Sequence, residues 1–134
     1  MLGRNRWNVC LDTKANSKGY HPSADDMRAF EDYVRDFNTR YEGLVGRISV
    51  FVVVSGSFPK SSAALTGRAN ELLSKVGTPL VFVRAEELGA AIERVRPLGH
   101  RRGGLNWSQI LVPPTFDPKR LEVELRRVAR DRIG

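Results

Sequence analysis

The chain has 134 residues, 41% of them hydrophobic and 28% charged, which suits one compact domain with its own core and excludes wholesale disorder. No apolar run approaches the length of a transmembrane helix, so no membrane partner is expected, and the polar start of the chain with its Trp7 is no signal peptide; the protein reads as cytoplasmic. Its lone Cys10 can form neither an internal disulfide nor a zinc site by itself, and the formal charge of +7 favours polyanions such as nucleic acid, because neutralised phosphates release counterions.

Taken in chain order, Trp7-Asn8-Val9-Cys10-Leu11 reads as a strand that ends at Asp12-Thr13-Lys14, and Asn16 to Pro22 as a loop. Ser23 and Asp26 form a capping-box pattern before a helix from about Ala24 to Tyr41, with Met27, Phe30, Tyr33, Val34, Phe37 and Tyr41 on one face and Gly43 and Gly46 as stops. Arg47 to Val54 is the strongest strand, and its consecutive apolar residues predict cover on both faces. A helix from about Ser62 to Val76 follows, with Leu65, Ala69, Leu72, Leu73 and Val76 inward, then a strand over Leu80–Val83 and a helix over Ala85–Val95. This βαβαβα order predicts an α/β layered domain. Beyond it lie a basic, glycine-rich connection over Pro97–Gly104, an added strand over Asn106–Val112, and a last helix over Pro118–Ile133 with Leu121, Leu125, Val128 and Ala129 on one face.

The chemistry concentrates in Asp12-Thr13-Lys14. Residues i and i+2 of a strand point to the same side, so the Asp12 carboxylate and the Lys14 ammonium face one site. A carboxylate is a hard oxygen ligand suited to Mg²⁺, and the Thr13 carbonyl is a second candidate oxygen. A lysine beside a cation can orient water and offset charge on a phosphate. By itself the triplet reads first as a surface ion pair at a strand end; its neighbours change the reading.

Val9-Cys10-Leu11-Asp12-Thr13-Lys14-Ala15-Asn16-Ser17-Lys18-Gly19-Tyr20 resembles the active-site strand and loop of the FokI-type cleavage domain, a PD-(D/E)xK nuclease. The similarity continues in order through Ala24-Asp25-Asp26-Met27 with Tyr33-Val34, through Phe51-Val52-Val53-Val54-Ser55-Gly56-Ser57-Phe58, and through Leu80 to Leu88, covering roughly residues 7 to 96. The resemblance implies a restriction-endonuclease-like layered fold, a central mixed sheet flanked by helices. It also implies hydrolysis of DNA phosphodiesters with Mg²⁺ (Mn²⁺ as a substitute), Asp12 and Lys14 as catalytic residues, and Asp12 with Thr13 on the metal. As partners it implies DNA, with a homodimer or a separate specificity domain. The family signature opens with a further acidic residue upstream, whereas residues 1 to 11 contain no Asp or Glu. The chain is therefore expected to be the C-terminal part of such a core over residues 1–98, partial or truncated, with an extension over 99–134, and to cleave DNA poorly by itself. The alternative is a non-catalytic DNA-binding or assembly module on the same fold.

Other candidates have competing plain readings. Lys18 and Tyr20, in the loop after the motif, are either contacts to the DNA backbone or exposed loop residues. Gly56-Ser57-Phe58-Pro59-Lys60-Ser61-Ser62 stands between strand and helix as a phosphate loop does, but lacks the glycine before lysine; Lys60 is kept as a DNA contact and Ser62 as a helix cap. Arg101 and Arg102 are DNA-contact candidates within a basic tail whose Arg126, Arg127 and Arg130 equally make a solvated helix face. His21 and His100 read as surface residues, and Cys10 as a small core residue.

Overall fold

The computed structural model describes residues 7–14 and 19–133, with side chains through residue 130. Three strands, β1 (Asn8–Lys14), β2 (Ile48–Ser55) and β3 (Leu80–Arg84), pair in the order β1-β2-β3, and both pairings are parallel. Helices α1 (Ala24–Val45) and α2 (Ala63–Val76) carry the two crossovers. A helical crossover returns the chain to the same end of the sheet, which is why all three described strands run the same way. The mixed sheet expected from the resemblance is thus corrected to a small parallel one among the described residues.

β2 is central, and its alternation assigns the two layers. Phe51 and Val53 pack with Met27, Phe30 and Val34 of α1 and Leu65, Ala69 and Leu72 of α2. Val50, Val52 and Val54 face the other way, against Val95, Leu105, Ile110, Phe116, Leu121 and Val128. That second layer is built by α3 (Ala85–Val95), a 3₁₀ segment over Arg96–Gly104, the short α4 (Trp107–Ile110) and α5 (Pro118–Ile133). Cover on both faces is what the unbroken apolar run of β2 predicted.

Local chemistry sets the boundaries. Ser23 Oγ accepts from the Asp26 N–H at 3.0 Å and Asp26 Oδ2 accepts from the Ser23 N–H at 3.2 Å, a reciprocal capping box that starts α1. The helix runs past Tyr41 to Val45, because Gly43 is tolerated inside it at a cost of about 1 kcal/mol. It stops only at Gly46, whose φ of 88° leaves the helical region. Asn106 to Val112 is not a strand. The Asn106 side chain accepts from the Ser108 N–H and caps α4, which drives Ile110 into the second layer. The extended contact comes later, where Phe82 N–H donates to Pro114 O at 2.8 Å and Phe116 N–H donates to Phe82 O at 3.0 Å, covering the outer edge of β3.

Two inward assignments also change. Leu73 is about half exposed, and α5 buries Glu124 rather than Ala129; the Glu124 carboxylate accepts from the Asn106 N–H and from Arg127, whose Nη2 also reaches Gly104 O at 2.6 Å.

β1 is held at its start by Asn8, whose side-chain amide donates to Val45 O at 2.7 Å and Arg47 O at 3.0 Å, while its backbone N–H donates to Ser49 Oγ at 3.0 Å. The ladder shifts by one residue between Asn8, opposite Ile48, and Val9, opposite Val50; from there it is regular through Lys14 opposite Ser55.

Leu72 of α2 is fully buried in the first-layer core, whereas Leu44 is 73% exposed at the end of α1. Leu72→Ala is expected to cost about 2–5 kcal/mol and Leu44→Ala to stay within about 0.5 kcal/mol of the parent, measured by urea unfolding with unchanged slope.

Candidate active site

The site is built on β1, a strand with two unlike faces. Val9, Leu11 and Thr13 are exposed on one side, while Cys10, Asp12 and Lys14 are half-buried on the other, toward α1. The alternation follows from the pleat and needs no special backbone. Asp12 pairs in register with Val53 and Lys14 with Ser55, so the central, buried strand of the sheet fixes both. Lys14 Nζ lies 3.1 Å from Asp12 Oδ2, and each side chain keeps about a third of its surface in solvent, 30% for Lys14 and 34% for Asp12. A cleft of about 250 Å³ opens beside them, lined also by Cys10, Ala29, Phe30 and Tyr33.

The first turns of α1 frame this cleft. Tyr20, expected on an exposed loop and kept as a DNA contact, is instead 6% exposed. Its backbone N–H donates to Ser57 O at 2.9 Å, its ring meets Phe58 edge-on, and its hydroxyl donates to Asp26 Oδ2 at 2.7 Å. Burial, then the bond to Asp26 and the negative charges of Asp26 and Asp12, push the Tyr20 phenol well above its ordinary range, so it stays protonated and donates. Burial pushes the Asp26 carboxyl up, but the Tyr20 hydroxyl, the Ser23 backbone N–H, the Lys14 ammonium and the Ser23 hydroxyl outweigh it and hold the carboxyl below its ordinary 3.8. Burial and the neighbouring Asp12 push the Cys10 thiol up, which keeps it a neutral thiol and a poor nucleophile.

Other candidates lie apart. Thr13 turns its side chain to the opposite face of β1, leaving only its carbonyl as a candidate oxygen. Lys60 is exposed on the loop after β2, which leaves the sheet at the end where Lys14 sits. Lys18 falls outside the described residues. Arg101 and Arg102 belong to the 3₁₀ segment that packs with the second layer, on the far side of the sheet from Asp12, and Arg102 Nε donates to Gly99 O at 2.8 Å. His21 and His100 are exposed. Ser62 holds the N-cap position of α2 without a side-chain bond; Ser61 Oγ accepts from the Ala63 N–H instead. Phe30 is a site residue that sequence reasoning assigned only to a core face, and its spacing from the loop carries no signal of proximity to Lys14; Asp26, with Asp25 and Glu31, is a helix carboxylate that the sequence offers for the missing acid, and here it serves the cap and Tyr20.

As a cation site the face is short of ligands. Asp12 supplies one carboxylate, Asp26 is committed to Tyr20 and the cap, and among the described residues no group of three or more His, Cys, Asp or Glu side chains is placed to hold a metal ion.

The Tyr20–Asp26 bond makes a pH-dependent contribution. A carboxyl depressed on folding stabilises above its unfolded pKa, and that contribution is lost as pH falls through the folded value. Tyr20→Phe is therefore expected to cost about 1 kcal/mol at pH 6, with the gap to the parent narrowing below pH 3.8, read by urea unfolding at both pH values.

Neither the curated proteins nor the solved structures contain a match to the chain. A family model does match: that of the FokI cleavage domain, over residues 1–96. The matched span includes β1 with its Asp12–Lys14 pair, α1, β2, α2, β3 and α3. This chain belongs to the FokI cleavage-domain family, and its family function is that of a restriction-type nuclease domain acting on DNA.

Proposed function

We propose that the Asp12–Lys14 face is the hydrolytic centre of a divalent-cation-dependent DNA endonuclease, and that the residues described here form an incomplete version of it. One observation carries the reading: within a FokI-type domain, a carboxylate and an ammonium stand 3.1 Å apart on a fixed strand beside an open cleft. Asp12 takes the role of cation ligand, with the Thr13 carbonyl beside it. Lys14 takes the role of the fixed positive charge that stabilises negative charge on a phosphate oxygen. Lys18, Lys60, Arg101 and Arg102 stay proposed as contacts to DNA backbone, with Lys60 the best placed of the described ones, at the Lys14 end of the sheet.

Restriction-type nuclease domains generally use divalent ions, and oxygen ligands suit Mg²⁺ or Mn²⁺. Mg²⁺ demands near-octahedral oxygen coordination, and ligand charge sets affinity, so one carboxylate and one carbonyl do not make a complete site. A further acid has to join this face before it cuts efficiently, and a second copy of the chain or a separate specificity domain is the proposed setting in which it works. The shortage of ligands equally favours a second reading, a domain that keeps the nuclease fold to bind DNA or assemble with other proteins.

Calorimetry with Mn²⁺ and a plasmid-cleavage assay with Mg²⁺ separate these. The expected outcome is weak Mn²⁺ binding, lost in Asp12→Asn, with little or no cutting by this chain alone. Robust cutting abolished by Asp12→Ala would overturn the incompleteness. Mn²⁺ binding absent, or unchanged by Asp12→Asn, together with salt-sensitive binding of duplex DNA, would replace the nuclease with the binding module.

A further inference from the structure

Lys14 does not rest on Asp12 alone. Its Nζ lies 5.7 Å from the centroid of the Phe30 ring and 6.0 Å from that of Tyr20, within the range over which a cation is drawn to an aromatic face. Both rings are fixed from outside the contact. Phe30 is 3% exposed and packs on Phe51 with ring centroids 4.7 Å apart. Tyr20 is tied at three points, by its backbone to Ser57, by its ring to Phe58 and by its hydroxyl to Asp26. The ammonium therefore sits against the Asp12 carboxylate and two packed rings, with the Asp26 charge behind them.

We infer that Phe30 and Tyr20 are positioning residues that seat the Lys14 ammonium, holding it at the cleft when the Asp12 carboxylate is engaged by another cation. An aromatic seat suits this task better than a second carboxylate, because it attracts the ammonium without competing for a cation at Asp12 and without cancelling the lysine charge. A lysine held only by Asp12 would lose its partner as soon as that carboxylate took another charge, and its four-carbon stem would swing into solvent. The seat also gives Asp26 a place in the site: it braces the Tyr20 ring through the phenol hydroxyl and adds a second negative charge near the Lys14 ammonium. The consequence for catalysis rests on the nuclease reading above, whereas the seat itself does not.

The chain contains five lysines, so the ε-methylene signals of ¹³C-lysine-labelled protein resolve singly, with Lys14 assigned by its loss in Lys14→Met. The expected result is a Lys14 signal moved upfield of the other four by the two rings. Phe30→Leu should remove about half of that displacement while the amide spectrum stays folded, and Phe30→Tyr should restore it. In Asp12→Asn the displacement should persist. A Lys14 signal at the position of exposed lysines, or one unmoved by Phe30→Leu, overturns the seat; a displacement lost in Asp12→Asn assigns the placement to the ion pair instead. None of these signals depends on cutting, so failure of the seat and failure of the nuclease reading are seen separately.

Discussion

The parallel pairing of β1 to β2 is the constraint on which the site depends. β2 is hydrogen-bonded on both sides and packed on both faces, with Val53 fully buried and Phe51, Val52 and Val54 nearly so. β1 has none of that protection along its exposed side, where Val9 and Leu11 are about half open to solvent. Its conformation is borrowed from its neighbour. Because Asp12 lies opposite Val53 and Lys14 opposite Ser55, two charged groups that would scatter on a loop are held on a rigid template. Rigid elements place functional groups more accurately than loops do, and a strand end beside a helix start gives both accuracy and access.

The chemistry at this face is economical and partial. An ion pair with a third of each partner in water contributes little to stability, at most about 1 kcal/mol, so its burial and alignment are better understood as serving placement. Around it the protein has placed apolar surface: Phe30 and Phe51 are core residues of the first layer that also border the cleft, and the core residue Tyr20 turns its ring toward Lys14. The same side chains that hold α1 on the sheet thereby shape the surroundings of Lys14, and damage to the core there is damage to the site. Among the described residues, Asp12 is the carboxylate of this face that is not committed to the α1 cap.

Much of this was legible from residue order. The run Val50–Val54 announced a strand covered on both sides, Ser23 with Asp26 announced the start of α1, and the spacing of Asp12 and Lys14 announced a shared face, because period-two patterns survive whatever the strand packs against. Tyr20 was misjudged because its burial comes from a contact with the chain nearly forty residues on, at Ser57 and Phe58, which no local pattern encodes. Asn106–Val112 is a short helix and not a strand because Trp107 and Ile110 stand one helical turn apart and the cap at Asn106 decides the local conformation. The mixed sheet was inherited from family likeness, and the two helical crossovers make the described strands parallel.

The one-residue shift beside Asn8 has a consequence for how such a domain can change. In a pleated strand, parity decides which side of the sheet a residue serves, and sliding by a single position exchanges the two sides wholesale. Asn8, clamped to Val45, Arg47 and Ser49, fixes the phase of everything after it. Were that clamp to slip by one position, Val9, Leu11 and Thr13 would face α1, and the two charged groups would be delivered to the opposite side, beside Trp107. A polar residue several positions away from the chemistry thus acts as its phase marker, and length changes in this short stretch should be far less tolerated than substitutions within it.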